Sequence, residues 1–431
     1  MKKFMKEEEI SVSKRGKAMG MNETPSGERT QIGIFGRTNA GKSSLINAIT
    51  NQSLAIVSDV KGTTTDPVKK AMELLPLGPV VLIDTPGLDD EGELGQQRVE
   101  KSRQMLRQSD IIILVLSYGE IPGSLEQDLI KKAKGENRPY LVVVNKSDVA
   151  NTEEIKADEA REIYGKSVEE ILFVPKEKIC FVSAVTGEGI VQLKDTIAGL
   201  IPTDEERPLV RDLINPGDFV VLVVPIDSAA PKGRLILPQQ QVIRDVLEGG
   251  AIPVVCRETE LKEALAGLGK PPRLVITDSQ AFGQVSKVTP KEIPLTSFSI
   301  LMARYKGDLK TQINGARAVE NLKDGDKVLI SEGCTHHRQC GDIGTQKLPK
   351  WITEHCGKKL EFHFTSGTEF PEDLSEYALV VHCGGCTLPV KEMRYRISHG
   401  AKENVPITNY GVMIAYVHGI LPRVIQPFGE I

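Results

Sequence analysis

The sequence predicts an α/β protein: an N-terminal P-loop domain followed by two smaller α/β domains with mainly parallel sheets. Three observations carry this prediction. Short, wholly apolar runs alternate with helix-like segments along most of the chain, the pattern of strands covered on both faces of a parallel sheet. The octapeptide "GRTNAGKS" (36–43) fits G-x-x-x-x-G-K-[ST] and stands between the strand-like "QIGIF" and the helix-like "SSLINAIT", the context this motif requires. The 431 residues suffice for about three domains of roughly 150 each.

Taken in order, residues 1–29 mix Lys and Glu without an apolar core, so they read as a flexible tail and not as a signal peptide. Residues 30–205 form the first domain, with strands "QIGIFG", "VVLIDTPG", "DIIILVLS", "PYLVVVNK" and "KICFVSA". "IPTDEERPLVRD" (201–212) is charged, carries two prolines and reads as a linker. In residues 208–308, "DFVVLVVPI", "IPVVCRE" and "RLVITDS" are strands, "PQQQVIRDVLEGG" and "LKEALAGLG" are helices, and "IPLTSFSIL" closes the unit. Residues 309–431 open with the segment "TQINGARAVENL" and the strand "KVLISEGC", and continue with "KKLEFHFTS", "YALVVHCGGC" and "VPITNYGVMIAYV". No repeat of fixed period is evident.

The net charge of −4 argues against a surface built mainly for nucleic acid. No apolar run approaches the roughly 18 residues that span a bilayer, so the expected location is the cytoplasm. An odd count of seven cysteines in a reducing compartment points to metal ligands before disulfides.

The P-loop sets the nucleotide chemistry. Gly36 and Gly41 let the backbone N–H groups of Asn39, Ala40, Gly41 and Ser44 wrap around phosphates, Lys42 reaches the outer phosphates, and the Ser43 hydroxyl binds magnesium. In "DTPG" (84–87), Asp84 is placed to hold magnesium through water and the Gly87 N–H to sense the third phosphate. "NKSD" (145–148) supplies Asn145, Lys146 and Asp148; an Asp carboxylate there pairs with the two donors on the guanine edge, which adenine lacks, so GTP is expected over ATP. "SAVTG" (183–187) presents the backbone of Ser183 and Ala184 to the base carbonyl. Of the threonines at 63–65, Thr64 is the expected second hydroxyl on magnesium.

These residues resemble the translation-factor-like GTPases, most closely the branch of tRNA-modification and ribosome-assembly G proteins, over about 170 residues. The resemblance implies hydrolysis of GTP to GDP and phosphate with Lys42, Asn39 and Thr64 in the catalytic roles. Leu88 follows "DTPG" where Ras-like proteins place a water-orienting Gln. Asn39 matches the asparagine that helps to hold potassium in this branch, so hydrolysis is expected to be slow and stimulated by K+. The competing reading of Asn39 is a loop-stabilising side chain.

Toward the C-terminus, "EGCTHHRQCGDIG" (332–344) and "VVHCGGCTLP" (381–390) hold four of the seven cysteines. Cys383 and Cys386 form C-x-x-C around two glycines after a strand, and Cys334 follows another strand, so two strand-end loops of one sheet are expected to gather three thiolates. The chemistry admits a zinc site completed by His336 or His382, a three-cysteine iron–sulfur site with an exchangeable fourth ligand, or unmetallated thiols. Cys180, Cys256 and Cys356 read as non-ligating.

A GTPase followed by C-x-H, about fifty residues and then H-C-x-x-C resembles the FeFe-hydrogenase maturation GTPases, the HydF family. The resemblance implies a 4Fe–4S cluster on Cys334, Cys383 and Cys386, a dimerisation domain at 208–308 and a cluster-binding domain at 309–431. It further implies a homodimer or tetramer that carries the two-iron precursor of the hydrogenase site, with radical-SAM maturases and apo FeFe-hydrogenase as partners. The fourth ligand stays open among His336, Cys340, Asp342, His382 and an exchangeable group; Cys340 lies outside the family motif. The rival functions are an RNA- or ribosome-associated GTPase with a structural zinc site, and a redox enzyme using the cluster for electron transfer.

Overall fold

A computed structural model of the chain describes residues 26–50, 68–75, 77–87, 93–150, 157–200, 208–226, 235–333, 342–367 and 369–429. Within them the first domain runs β1 (Thr30–Phe35), α1 (Lys42–Thr50), β2 (Val68–Leu74), β3 (Gly78–Asp84), α2 (Glu93–Gln108), β4 (Ile111–Ser117), α3 (Ser124–Gly135), β5 (Tyr140–Asn145), α4 (Ala157–Leu172), β6 (Ile179–Phe181) and α5 (Ile190–Ala198). The sheet order is β2-β3-β1-β4-β5-β6, parallel except for β2. Alternation along β4 explains its wholly apolar sequence: Ile111, Ile113 and Val115 enter the core on one face, and Ile112, Leu114 and Leu116 the core on the other. β2, "VKKAMEL", is absent from the strands expected above. It pairs antiparallel at the sheet edge, where one face meets water and lysines belong.

The second unit comprises β7 (Phe219–Val223), α6 (Leu237–Glu248), β8 (Ile252–Cys256), α7 (Leu261–Gly267), β9 (Leu274–Thr277), α8 (Phe282–Val288), β10 (Leu295–Ser297) and α9 (Phe298–Lys306). The third comprises α10 (Leu309–Arg317), β11 (Lys327–Glu332), α11 (Leu348–Cys356), β12 (Glu361–Ser366), β13 (Tyr377–His382), α12 (Val390–Lys402), β14 (Ile407–Asn409), α13 (Tyr410–Val417) and α14 (Leu421–Ile425). Their sheets are parallel, ordered β8-β7-β9-β10 and β12-β11-β13-β14. Both orders are second-first-third-fourth, so the topology is duplicated. In each, the last strand passes directly into a helix capped by the strand's final residue: Ser297 Oγ accepts from Ile300 N, and Asn409 Oδ1 from Val412 N. The equivalent stretches read "IPLTSFSILMA" and "VPITNYGVMIA". The repeat escapes a search for fixed period because the intervening helices and loops differ in length.

The two copies pack against each other through equivalent positions. A Cβ on Gly411 would lie 2.6 Å from the Cβ of its counterpart Ser299. Val221, Val275, Leu295 and Ile300 of one unit and Val328, Ile330, Leu379 and Val412 of the other belong to one continuous apolar core. A junction of this kind resists domain motion.

Two segments depart from the sequence reading. Leu209 and Val210, placed in the linker, are buried, and the N–H groups of Val210 and Arg211 both donate to Asp245 Oδ2 at 2.7 and 2.8 Å. Residues 26–28, placed in the tail, form a 3₁₀ turn against the third unit, where a Cβ on Gly27 would meet Thr387 and Leu388. No helix among the described residues is long and apolar enough to cross a membrane.

Candidate functional site

Parallel strands deliver their C-terminal ends to one edge, so β1, β3, β5 and β6 bring the P-loop, "DTPG", "NKSD" and "SAVTG" together. The loops are tied directly. Asn145 Nδ2 donates to Ala40 O at 3.2 Å, and Asn145 Oδ1 accepts from Ala184 N at 3.1 Å. Lys146 Nζ donates to Asn39 O at 2.9 Å. Asn39 and Lys146 both hold left-handed backbone, φ 65° and 61°. A Cβ at Gly41 would lie 2.2 Å from Asn145 Nδ2; only glycine allows this approach.

Lys42 is buried and donates to Gly36 O and Arg37 O at 3.0 and 2.8 Å, which curls its ammonium back over the loop. Ser43 Oγ donates to Asp84 Oδ2 at 2.5 Å, so the two expected magnesium groups already face each other. Burial pushes the Asp84 carboxyl up, against the opposing pull of the Ser43 hydrogen bond and of Lys42 and Lys70. A divalent cation would relieve that penalty. Arg37, in the loop itself, pairs with Glu126 at 2.7 Å, and Glu126 is fully buried. Gly87 is buried, Ser44 half-buried and Asp148 exposed, the last open to a base; Ser183 Oγ accepts from Thr186 N at 3.1 Å and so holds its turn. Thr64 and Leu88 lie outside the described residues.

The second site sits at the C-terminal ends of β11 and β13, neighbours in their sheet. Two backbone N–H groups point at the Cys383 sulfur, Gly333 N at 3.0 Å and Gly385 N at 3.3 Å. Such donors suit a thiolate and, by the same charge argument, a metal-bound sulfur. Burial, and then Cys383 beside it, pushes the Cys386 thiol up to about 11, with Lys306 pulling the other way. Gly385 has φ 60°, and a Cβ there would strike Met393 Sδ, so the loop between the thiols needs this glycine. Cys334, His336 and Cys340 lie outside the described residues. Among the described residues no three His, Cys, Asp or Glu side chains gather as a ligand set.

The open candidates for a fourth ligand separate here. The Arg396 guanidinium can only donate, so His382 Nε2, 2.8 Å from its Nη1, accepts; Nδ1 then carries the proton and donates to Cys383 O at 2.8 Å. Both ring nitrogens are hydrogen-bonded in this arrangement, so His382 braces the loop. Asp342 Oδ2 accepts from Thr345 N and Thr345 Oγ1 at 2.9 and 3.0 Å, capping the turn that follows. Cys180 and Cys256 lie in β6 and β8, and Cys356 ends α11, away from the C-x-x-C loop.

Sequence reading missed the buried charges around this loop. Fully buried Arg396 reaches Glu392 Oε1 at 2.9 Å, Ser331 Oγ at 3.3 Å and Gly367 O at 3.2 Å. Lys306 and Glu332 are buried as well, and Tyr410 Oη meets Glu332 Oε1 at 3.4 Å. No spacing marks such residues, because their partners come from distant segments. One weak signal existed: Glu392 and Arg396 sit four apart on a helix, as an ion pair would.

The nucleotide domain also touches the helix that leaves the thiol loop. Lys391 Nζ pairs with Asp110 Oδ1 at 3.5 Å, and Arg107 with Glu372 at 3.7 Å.

Comparisons with known proteins match three stretches of the chain. Residues 310–427 match the hydrogen maturase F tetramerization domain, 209–307 the hydrogen maturase F dimerization domain, and 31–146 the 50S ribosome-binding GTPase family. The tRNA modification GTPase MnmE of Bacillus licheniformis is 29% identical over 240 residues, 55% of this chain and 46% of that protein. MnmE of Ligilactobacillus salivarius is 31% identical over 192 residues, 44% of this chain and 37% of that protein. The chain thus spans less than half the length of these curated relatives. Among solved structures, Era of Aquifex aeolicus bound to GDP and aluminium fluoride covers 60% of this chain and 97% of its own at 21% identity, with a TM-score of 0.35.

Proposed function

Since the chain belongs to the hydrogen maturase F family, with its dimerization and tetramerization domains behind a GTPase domain, we propose that it is a GTP-hydrolysing scaffold and carrier in FeFe-hydrogenase maturation. It binds a 4Fe–4S cluster through Cys383, Cys386 and Cys334 and assembles or delivers the two-iron precursor to apo-hydrogenase. The observation that carries this reading is the thiol loop itself: two cysteines at a strand end, with two N–H groups aimed at the Cys383 sulfur and a buried basic side chain beneath. A resident cluster would supply an iron with a position open to a bridging group of the precursor. The chain's own part is to hold the thiols, fix the loop through His382 and Arg396, and exclude water.

In the first domain, Lys42, Ser43 and Asp84 take the triphosphate and magnesium. Asn39 is exposed beside them and takes K+, which offsets charge where no polar group follows "DTPG". Asp148 reads guanine.

Two copies join through β8, the free edge of the second sheet. Ile252 N donates to Asp218 O and Cys256 O accepts from Val224 N, so the backbone of Ile252, Val254 and Cys256 faces β7. That of Pro253 and Val255 faces outward. Pro253 therefore loses no ladder bond, and exposed Ile252 and Val255 flank the edge. The partners are radical-SAM maturases and apo FeFe-hydrogenase, in the cytoplasm.

Iron, sulfide and zinc analysis of anaerobically purified protein tests the reading. About four irons per chain are expected, with sharp loss in Cys334→Ser, Cys383→Ser and Cys386→Ser while basal GTP hydrolysis persists. Stoichiometric zinc without iron would sink it and favour a structural zinc site.

A further inference from the structure

Lys306 ends α9, in the second unit, yet its ammonium is buried within the third. Its side chain is 1% exposed. Nζ donates to Gly385 O at 3.2 Å, Cys386 O at 3.0 Å and Leu388 O at 2.8 Å. It also lies 3.3 Å from Glu28 Oε1, on the turn that leads into β1 and the P-loop, and Tyr305 Oη donates to Glu28 Oε2 at 3.1 Å. One side chain thus joins all three units at the thiol loop. A buried lysine is costly unless its N–H groups and its charge are both answered. Here the three donors are answered by loop carbonyls, of which Gly385 O also accepts from Leu388 N at 3.0 Å. Glu28 supplies a counter-charge at 3.3 Å. In the duplicated fold the counterpart of Lys306 is His418, which instead stacks edge-on against Trp351. The lysine is therefore particular to the copy that faces the thiol loop, and the copy that carries the loop has a histidine at the equivalent place.

We propose that Lys306 is the positioning residue of the thiol loop: its ammonium holds residues 385–388 in the form that presents both sulfurs, and its charge offsets that of the metal–thiolate centre. The second half rests on the cluster reading above; the first does not. Hydrogen–deuterium exchange of the full-length, metal-free protein isolates the first. Amides of 383–388 should exchange about tenfold faster in Lys306→Met and near the wild-type rate in Lys306→Arg, because opening a loop stripped of its ties costs less. If Lys306→Met does not fold, Lys306→Gln takes its place; its shorter side chain has two N–H donors for three carbonyls, so exchange should rise by less than in the Met variant but above wild type. Exchange at the wild-type rate in Lys306→Met or, where that does not fold, in Lys306→Gln would overturn the positioning role.

Reconstituted protein tests the charge. Removing a cation beside the centre disfavours the reduced, more negative form, so the cluster's midpoint potential should fall in Lys306→Met and be restored in Lys306→Arg. A potential unchanged in both would overturn the charge role. A wild type that takes up no iron would overturn it too, through the cluster reading, while the exchange comparison still decides the positioning.

Discussion

The Arg107 guanidinium of α2 lies 4.5 Å from the centre of the Tyr395 ring of α12, and His399 stacks on that ring at 5.6 Å. α2 follows "DTPG" and α12 follows the thiol loop, so this cation–π contact, with the Lys391–Asp110 pair, joins the helices that lead away from the two candidate sites. GTP and GDP should therefore give different exchange rates at 383–388. Tyr395→Ala should abolish the difference and leave GTP hydrolysis within about twofold of wild type. A difference that survives in Tyr395→Ala would place the coupling elsewhere.

Asp148→Asn should shift preference from GTP towards xanthosine triphosphate, since the guanine amine loses its acceptor. Potassium in place of sodium at fixed ionic strength should accelerate hydrolysis, and Asn39→Ala should remove most of that gain. Equal rates in both salts would leave Asn39 as a loop residue.

Metal uptake should tighten as pH rises. The Cys386 thiol, pushed up to about 11 by burial, is neutral at pH 7, and binding as thiolate expels its proton. Each proton released makes apparent affinity rise about tenfold per pH unit. Cobalt titrations followed by thiolate charge-transfer absorbance between pH 6.5 and 8.5 read this slope, and Cys386→Ser should lower it by about one proton. A flat profile would refute the argument.

Arg396→Met should destabilise the third unit by about 3–5 kcal/mol, because buried Glu392 then loses its partner. Urea unfolding followed by the single tryptophan, Trp351, measures this. Glu392→Gln paired with Arg396→Met should recover part of the loss, since no buried charge is then left alone. A cost below about 1 kcal/mol would show that water reaches the pair.

Val255→Pro deletes an outward N–H on β8 without touching the bonds to β7. If β8 is the joint, this variant should shift the protein to smaller species in light scattering while its melting transition stays cooperative. Assembly at wild-type concentration dependence would move the joint to another surface.

The loops that define the nucleotide site were legible because each is a contiguous motif on a strand whose burial on two faces forces an apolar run. β1, β3, β4 and β5 announce themselves in this way, and the glycines and lysine of 36–43 carry their chemistry by spacing alone. The cysteines were legible for the same reason, as Cys383 and Cys386 stand together at the end of "YALVV".

Tertiary structure decided the rest. β2 was hidden because an edge strand keeps its lysines. The duplication was hidden because it resides in strand order, which sequence period does not record. That His382 braces the loop depends on Arg396, fourteen residues away on another element. Lys306 and Glu28 are 278 positions apart in the chain and 3.3 Å apart in space. A charged residue carries no mark in sequence that it will be buried, because the partners that offset its desolvation are supplied only when distant segments fold together.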